Sequence, residues 1–209
     1  MDTVVVLAGG PATVPVELPD GAYVIAADGG AELAPARVDL AVGDFDSISP
    51  ATLASLANVE RYPEAKDATD LELALDAALR SQPRRVVVVG SAGGRLDHLL
   101  GSLLLLTSER YAGVQVDAQL GDAAVHVIRG ERTLFGEPGD LVSLFALHGP
   151  ARGVTAHGLR WPLERATLEP GSSLGTSNEL AAPEATVFVE AGVVAAVRPS
   201  GSAWAGTAS

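Results

Sequence analysis

Four short apolar runs in the first half of the chain, Thr3–Ala8, Tyr23–Ala27, Leu40–Val42 and Val86–Val89, each lead into a turn that carries glycine or aspartate. Helix-period patterns lie between them. Leu71, Leu75, Ala78 and Leu79 fall on one helical stripe. The segment TDLE just before it, Thr69 to Glu72, has the form of a capping box: Thr69 caps and Glu72 reaches back. A second, leucine-rich helix is expected from about Leu96 to Glu109. Alternating strands and helices imply a mostly parallel sheet covered on both faces. In such sheets ligands sit beyond the carboxyl ends of the strands. The turns at Asp28, Asp44 and Gly90–Asp97 are therefore expected to converge on one edge.

After about Val114 the pattern changes to short strands and turns. Strands are expected at Ala124–Arg129, Thr133–Phe135, Leu141–Leu147, Thr186–Glu190 and Val193–Val197, with EAGV between the last two as a hairpin turn. The organisation expected is an α/β domain over residues 1–120, a small all-β domain over 121–200 and a tail over 201–209, frayed unless Trp204 anchors it. Of 209 residues, 47% are hydrophobic, enough for a sizeable core and against long disorder. The chain has no cysteine, so disulfide and thiolate chemistry are excluded. The opening MDTVVVLAGG lacks the basic region of a signal peptide, and the apolar stretch around Leu96 to Thr107 is too short to span a bilayer. We expect a soluble, cytoplasmic protein. A net charge of −12 argues against nucleic acid as partner, yet leaves room for a nucleotide carried with magnesium.

Acidic residues gather at the turns: Asp28 in AADGGA, Asp44 and Asp46 in GDFDS, Asp67 and Asp70 in KDATDLE, and Asp97 in GGRLDH. Each alone reads equally as a turn residue or helix cap. Brought to one edge, they repel each other and call for a cation, and an all-oxygen donor set favours magnesium or calcium. Asp44 and Asp46, two residues apart, face the same way if the backbone there is extended. Glycine pairs follow the strands at Gly9–Gly10, Gly29–Gly30 and Gly93–Gly94, suited to tight turns or to phosphate cradles. None fits a P-loop or a GxGxxG fingerprint. Arg95 reads either as a bidentate phosphate clamp or as one side of a surface salt bridge. The four histidines lack zinc-site spacing, and no GxSxG elbow is present. In the second half the polar run from Gly158 to Leu180 holds Trp161, Ser177 and Asn178. Trp161 suits either a core or the stacking of a flat, cationic ring.

ADGGA, GDFDSI, KDATDLELAL, GGRLDHLLG and GTSNE, in that order, closely resemble the motifs of the thiamine pyrophosphokinase family. The likeness runs from about Ala26 to Val197. It implies a Rossmann-like, mostly parallel α/β domain with flanking helices, then an all-β sandwich. It implies a homodimer with sites between subunits, and transfer of a pyrophosphoryl group from ATP to thiamine with release of AMP. By the resemblance, Asp44, Asp46, Asp70 and Asp97 are the catalytic acids, with Asp44, Asp46 and Asp70 holding Mg2+. Asp28, Gly29, Gly30, Lys66, Asp67 and Arg95 hold ATP, and Trp161, Ser177 and Asn178 hold thiamine. Either Asp70 or Asp97 takes the hydroxyl proton. Ser102 departs from the family pattern, standing where many bacterial members carry asparagine. Two other readings stay open: diphosphate transfer to another hydroxymethyl heterocycle such as a pterin, and a magnesium-nucleotide or thiamine diphosphate sensor without turnover.

Overall fold

The computed structural model describes residues 2–10, 16 and 18–205. The chain divides into two compact units. One comprises residues up to Ser102 together with Val114–Gly121, and the other Leu103–Gly113 together with the residues from Asp122 on.

The first unit is built on six strands: β1 (Thr3–Leu7), β2 (Tyr23–Ala27), β3 (Leu40–Gly43), β4 (Val59–Arg61), β5 (Arg85–Gly90) and β6 (Gln115–Leu120). Their order across the sheet is β6-β5-β1-β2-β3-β4 and every neighbouring pair is parallel. Val4 to Leu7, Val24 to Ala27 and Arg85 to Val89 are buried on both faces, which explains their unbroken apolar runs. The edge strand β4 is short and polar, and β6 contains a fully buried Asp117. Arg85, itself buried, donates to Asp117 from Nε at 2.7 Å, so the charge that breaks the apolar run of β6 is compensated.

Helices α1 (Pro50–Ser55), α2 (Asp70–Arg80) and α3 (Leu96–Leu106) join these strands. Thr69 caps α2 by accepting from the Glu72 amide at 3.2 Å, as the sequence predicts. The buried face of α2 is Ala74, Leu75, Ala77 and Ala78, with Leu71 and Leu79 only half-buried. Alanines let the helix lie close against β1, β2 and β3. Among the described residues no helix is long and apolar enough to cross a membrane.

The second unit holds β7 (Ala123–Phe135), β8 (Leu141–Ala146), β9 (Ala151–His157), β10 (Leu163–Leu168), β11 (Asn178–Glu179) and β12 (Glu184–Arg198), all paired antiparallel. The expected hairpin at EAGV does not form. The two segments flanking it are one long strand, β12, and Ala124–Arg129 and Thr133–Phe135 likewise fuse into β7. Val189 faces Gly130 and Val194 faces Ile128, so residues 190–193 of β12 bulge opposite a single residue of β7. Gly130 and Gly192 take left-handed backbone there, at φ 84° and 93°, so the strand bends without reversing. The first half of β12 pairs with β9 and the second half with β8, so one strand serves both layers of a β-sandwich. Leu134, Val142, Leu144, Val154, Leu168 and Val187 belong to the apolar cluster between the layers. Of the tail, Ala203 is buried and Trp204 half-buried, and residues 206–209 lie outside the described residues.

Among the described glycines of the first unit, Gly30 makes the closest backbone approach, joining the end of β1 to the turn after β2. A Cβ on Gly30 would lie 2.0 Å from the Leu7 carbonyl oxygen. Gly30→Ala is expected to cost about 3 kcal/mol of stability, because backbone must move to admit the methyl group. Chemical denaturation measures this, and a loss below about 0.5 kcal/mol would show the contact to be loose in solution.

Candidate active site

The strand order places a crossover switch between β1 and β5, since β1 leads towards β2 on one side and β5 towards β6 on the other. Small residues line that crevice. Gly10 has φ 127°, and a Cβ on it would approach the Ser91 Cβ at 2.9 Å. Ser91 Oγ accepts from the Gly93 amide at 2.9 Å, tightening the turn after β5. Side chains larger than these would fill the crevice.

The acids stand beside this crevice, at the ends of β2 and β3. Asp28 opens a 3-10 turn, Asp28–Leu33, directly after β2. It is only 8% exposed, and its Oδ1 has no hydrogen-bond partner. Asp44 and Asp46 follow β3. Asp28, Asp44 and Asp46 each offer a carboxylate oxygen, and the three oxygens lie within 4.8 Å of one another. The chain between Asp44 and Asp46 is not extended, contrary to the spacing argument. Phe45 has φ 65°, a left-handed conformation that costs a non-glycine residue about 1–2 kcal/mol. Burial of its ring, with the Arg61 guanidinium 4.9 Å above, opposes that cost. A turn therefore brings the carboxylates together, and the Asp46 amide donates to Asp44 Oδ1 at 3.3 Å. Ser47 Oγ donates to Asp46 Oδ1 at 2.7 Å.

Two further groups close the cluster. Lys66 donates to Asp44 Oδ2 at 2.6 Å and stands 3.2 Å from Asp70 Oδ1, the second contact being an ion pair without directed hydrogen-bond geometry. Asp70 is the first residue of α2. Its Oδ1 would lie 3.0 Å from a Cβ on Gly43, so this glycine is a positioning residue that the strand pattern alone does not reveal. The Lys66 hydrogen bond holds the Asp44 carboxyl below the usual carboxylate range. Burial pushes Asp70 up, the neighbouring Lys66 ammonium opposes it, and the charges of Asp44 and Asp28 add to the rise. A buried, unpartnered Asp28 oxygen among converging carboxylates is a donor set suited to a hard divalent cation.

The other acids of the first unit behave differently. Arg95 holds Asp97 in a two-point pair, Nε to Oδ1 at 3.2 Å and Nη2 to Oδ2 at 2.6 Å, with both side chains largely exposed. That bond brings the Asp97 carboxyl down to about 2. Asp97 thus stands outside the triad of converging oxygens, as does Asp70. Asp67 is exposed. Gly29 packs its α-carbon beside Ser47: a Cβ there would lie 3.1 Å from the Ser47 carbonyl oxygen.

In the second unit Trp161 is 51% exposed, which removes it from the core. The Arg160 guanidinium lies 4.8 Å from its ring centre. Asn178, 3% exposed, receives the Trp161 amide at 3.1 Å and donates to the Trp161 carbonyl at 2.7 Å. Its side chain fixes the backbone that carries the indole. Ser177 has left-handed backbone, φ 56°, and its amide donates to Ser143 Oγ at 3.0 Å, leaving its own side chain exposed.

Hard oxygen donors gathered beside glycine turns at the carboxyl edge of a parallel sheet are the equipment of a phosphoryl-transferring enzyme. Comparison with known proteins narrows that class. Residues 17–117 match the family described as thiamin pyrophosphokinase, catalytic domain, and residues 125–194 match thiamin pyrophosphokinase, vitamin B1 binding domain. The thiamine pyrophosphokinase of Bacillus subtilis (strain 168) is 32% identical over 168 residues, covering 76% of this chain and 77% of the relative. The crystal structure of the Bacillus subtilis enzyme superposes with a TM-score of 0.83 at 26% identity, over 96% of this chain and all of that one. Thiamin pyrophosphokinase from Candida albicans, at 16% identity and a TM-score of 0.73, shares the fold. The chain belongs to the thiamine pyrophosphokinase family.

Proposed function

We propose that this chain transfers the pyrophosphoryl group of ATP to the hydroxyl of thiamine, giving thiamine diphosphate and AMP. The observation that carries the reading is the convergence of Asp28, Asp44 and Asp46 beside Lys66 and Asp70, in a chain whose two halves match the family's catalytic and vitamin B1 binding domains. Residues 1–120 are assigned the nucleotide and residues 121–200 the thiamine. The vitamin B1 binding match favours thiamine over a pterin, and the catalytic-domain match favours turnover over sensing.

Mg2+ is the cation the all-oxygen donors suit, held by Asp44 and Asp46 with Asp28, whose free buried oxygen adds it to the pair. When bound, the metal withdraws charge from the phosphate oxygens around the phosphorus under attack. The exposed Gly9–Gly10 and Gly93–Gly94 turns give backbone access to the polyphosphate, Gly29 and Gly30 let the turn after β2 pack closely beside it, and Arg95 and Lys66 meet its charge. In the reaction the thiamine oxygen bonds to the β-phosphorus, the bond to the α-phosphate oxygen breaks, and the hydroxyl proton passes to a carboxylate. Asp97 is largely exposed, whereas Asp70 stands beside Asp44 with Lys66 between them, so of the two the role is assigned to Asp70. Trp161 and Ser177 face solvent and are assigned to thiamine, with Asn178 fixing the tryptophan backbone.

The assay is incubation of the pure protein with ATP, magnesium and thiamine. AMP and thiamine diphosphate should appear in equal amounts, and release of AMP only with a pterin, or none, overturns the reading. Asp46→Asn is expected to lower kcat by about a hundredfold or more while leaving the circular dichroism unchanged, in line with the loss of one charge-stabilising group. Full turnover would remove Asp46 from the mechanism. Trp161→Ala should raise the KM for thiamine about tenfold with little change in Tm, as expected for loss of a stacking contact at an exposed position.

The same reading places the enzyme in the cytoplasm and makes it a homodimer with substrate sites between subunits. Exposed Leu96, Leu100 and Leu104, four residues apart on α3, form an apolar stripe that a second copy would cover. Sedimentation equilibrium should return twice the 21.3 kDa chain mass, and Leu100→Glu should lower it; a monomer at all concentrations would refute the dimer.

A further inference from the structure

We propose that Lys66 makes cation binding at the acidic edge conditional on a polyphosphate: its ammonium is the built-in counter-ion of Asp44 and Asp70, and it yields Asp44 to a metal when phosphate oxygens offer it another anion. The proposal rests on the assignment of ATP and a divalent cation to this edge.

The geometry carries it. Both oxygens of Asp44 are engaged, Oδ1 by the Asp46 amide and Oδ2 by Lys66 Nζ at 2.6 Å. Asp28 Oδ1, by contrast, is buried and free. A cation that draws on Asp28, Asp44 and Asp46 together therefore competes with an ammonium already in place, and pays for its removal from between Asp44 and Asp70. Lys66 has only 11% of its side chain exposed, so the released charge needs a new partner close at hand. Phosphate oxygens at the neighbouring glycine turns are such a partner.

Composition points the same way. Lys66 is the one lysine in a chain with thirteen arginines. A guanidinium presents a rigid planar fork that matches the two oxygens of one carboxylate, the geometry of Arg95 on Asp97. An ammonium on a four-carbon stem is a point charge that can exchange one oxygen for another without matching a plane. The position at which an exchange of partners is required is the position that carries lysine.

Equilibrium titrations of the full chain with Mn2+ alone, and with ATP in the presence of chelator, test the proposal in wild type, Lys66→Met and Lys66→Arg. Lys66→Met should bind Mn2+ alone about tenfold more tightly and metal-free ATP about tenfold more weakly, the discounted effect of one unit charge at contact distance. Lys66→Arg should stay with the wild type for Mn2+. Lys66→Met should also melt lower without metal and recover more than the wild type when Mn2+ is added. A loss of both affinities marks a merely structural role and overturns the proposal, as does no change in either. If none of the three proteins binds Mn2+ or ATP, the assignment of the site itself fails; if all bind both with equal affinities, only the role of Lys66 does.

Discussion

The acids at the heart of the candidate site hang on the parallel ladder of β1, β2 and β3, with Lys66 and Asp70 reaching them from the chain after β4. Parallel strands all end at the same edge, and adjacent ends stand only about 4.8 Å apart. Side chains placed just after neighbouring strands are thus forced together whatever their charge. Asp28 and Asp44 follow β2 and β3, which pair through Ala27 and Val42. Their crowding is a consequence of topology, and two unit charges that close repel by about 4 kcal/mol at an effective dielectric near 20. The edge tolerates this because Lys66 stands among the acids and because Asp46 faces solvent.

The backbone around these acids is held in conformations that an isolated chain would avoid. Asp28 and Phe45 both have positive φ, and Gly43 between them has φ 151° with a carboxylate against its α-carbon. Such residues persist where surrounding packing over-determines them. Here the packing is explicit: β1 touches the turn after β2 through Gly30, and the Phe45 ring is buried. Ser177 repeats the device in the second unit, where its strained backbone follows the Gly175 turn and precedes the buried Asn178.

Central strands were legible because both of their faces are dry, so the apolar run is continuous. The edge strand β4 and the charged β6 gave no such run, and neither did β9 and β10, whose residues alternate between core and solvent over a few positions. EAGV carries the composition of a hairpin, yet the bulge opposite Arg129 uses its glycine to bend a strand that continues. Turn chemistry is local, whereas the choice between reversing and bending is made by the partners on either side. The acidic residues were legible by type and order. Their grouping was legible in part: Asp28 and Asp44 meet as the strand pattern implies, whereas Asp97 pairs with Arg95, and the convergence of Asp44 with Asp46 depends on a left-handed phenylalanine that spacing does not encode.

The long bent β12 has a bearing on how the chain is made. It follows β7, β8 and β9 in the chain and pairs with all three, so none of them has its full set of hydrogen bonds until it arrives. The partners are far apart in sequence, and closing such loops is slow. During synthesis the α/β sheet therefore has its ladder complete from β1 to β6 while the β-rich unit still waits, its apolar strands unsheathed and dependent on whatever shields a nascent chain from its neighbours.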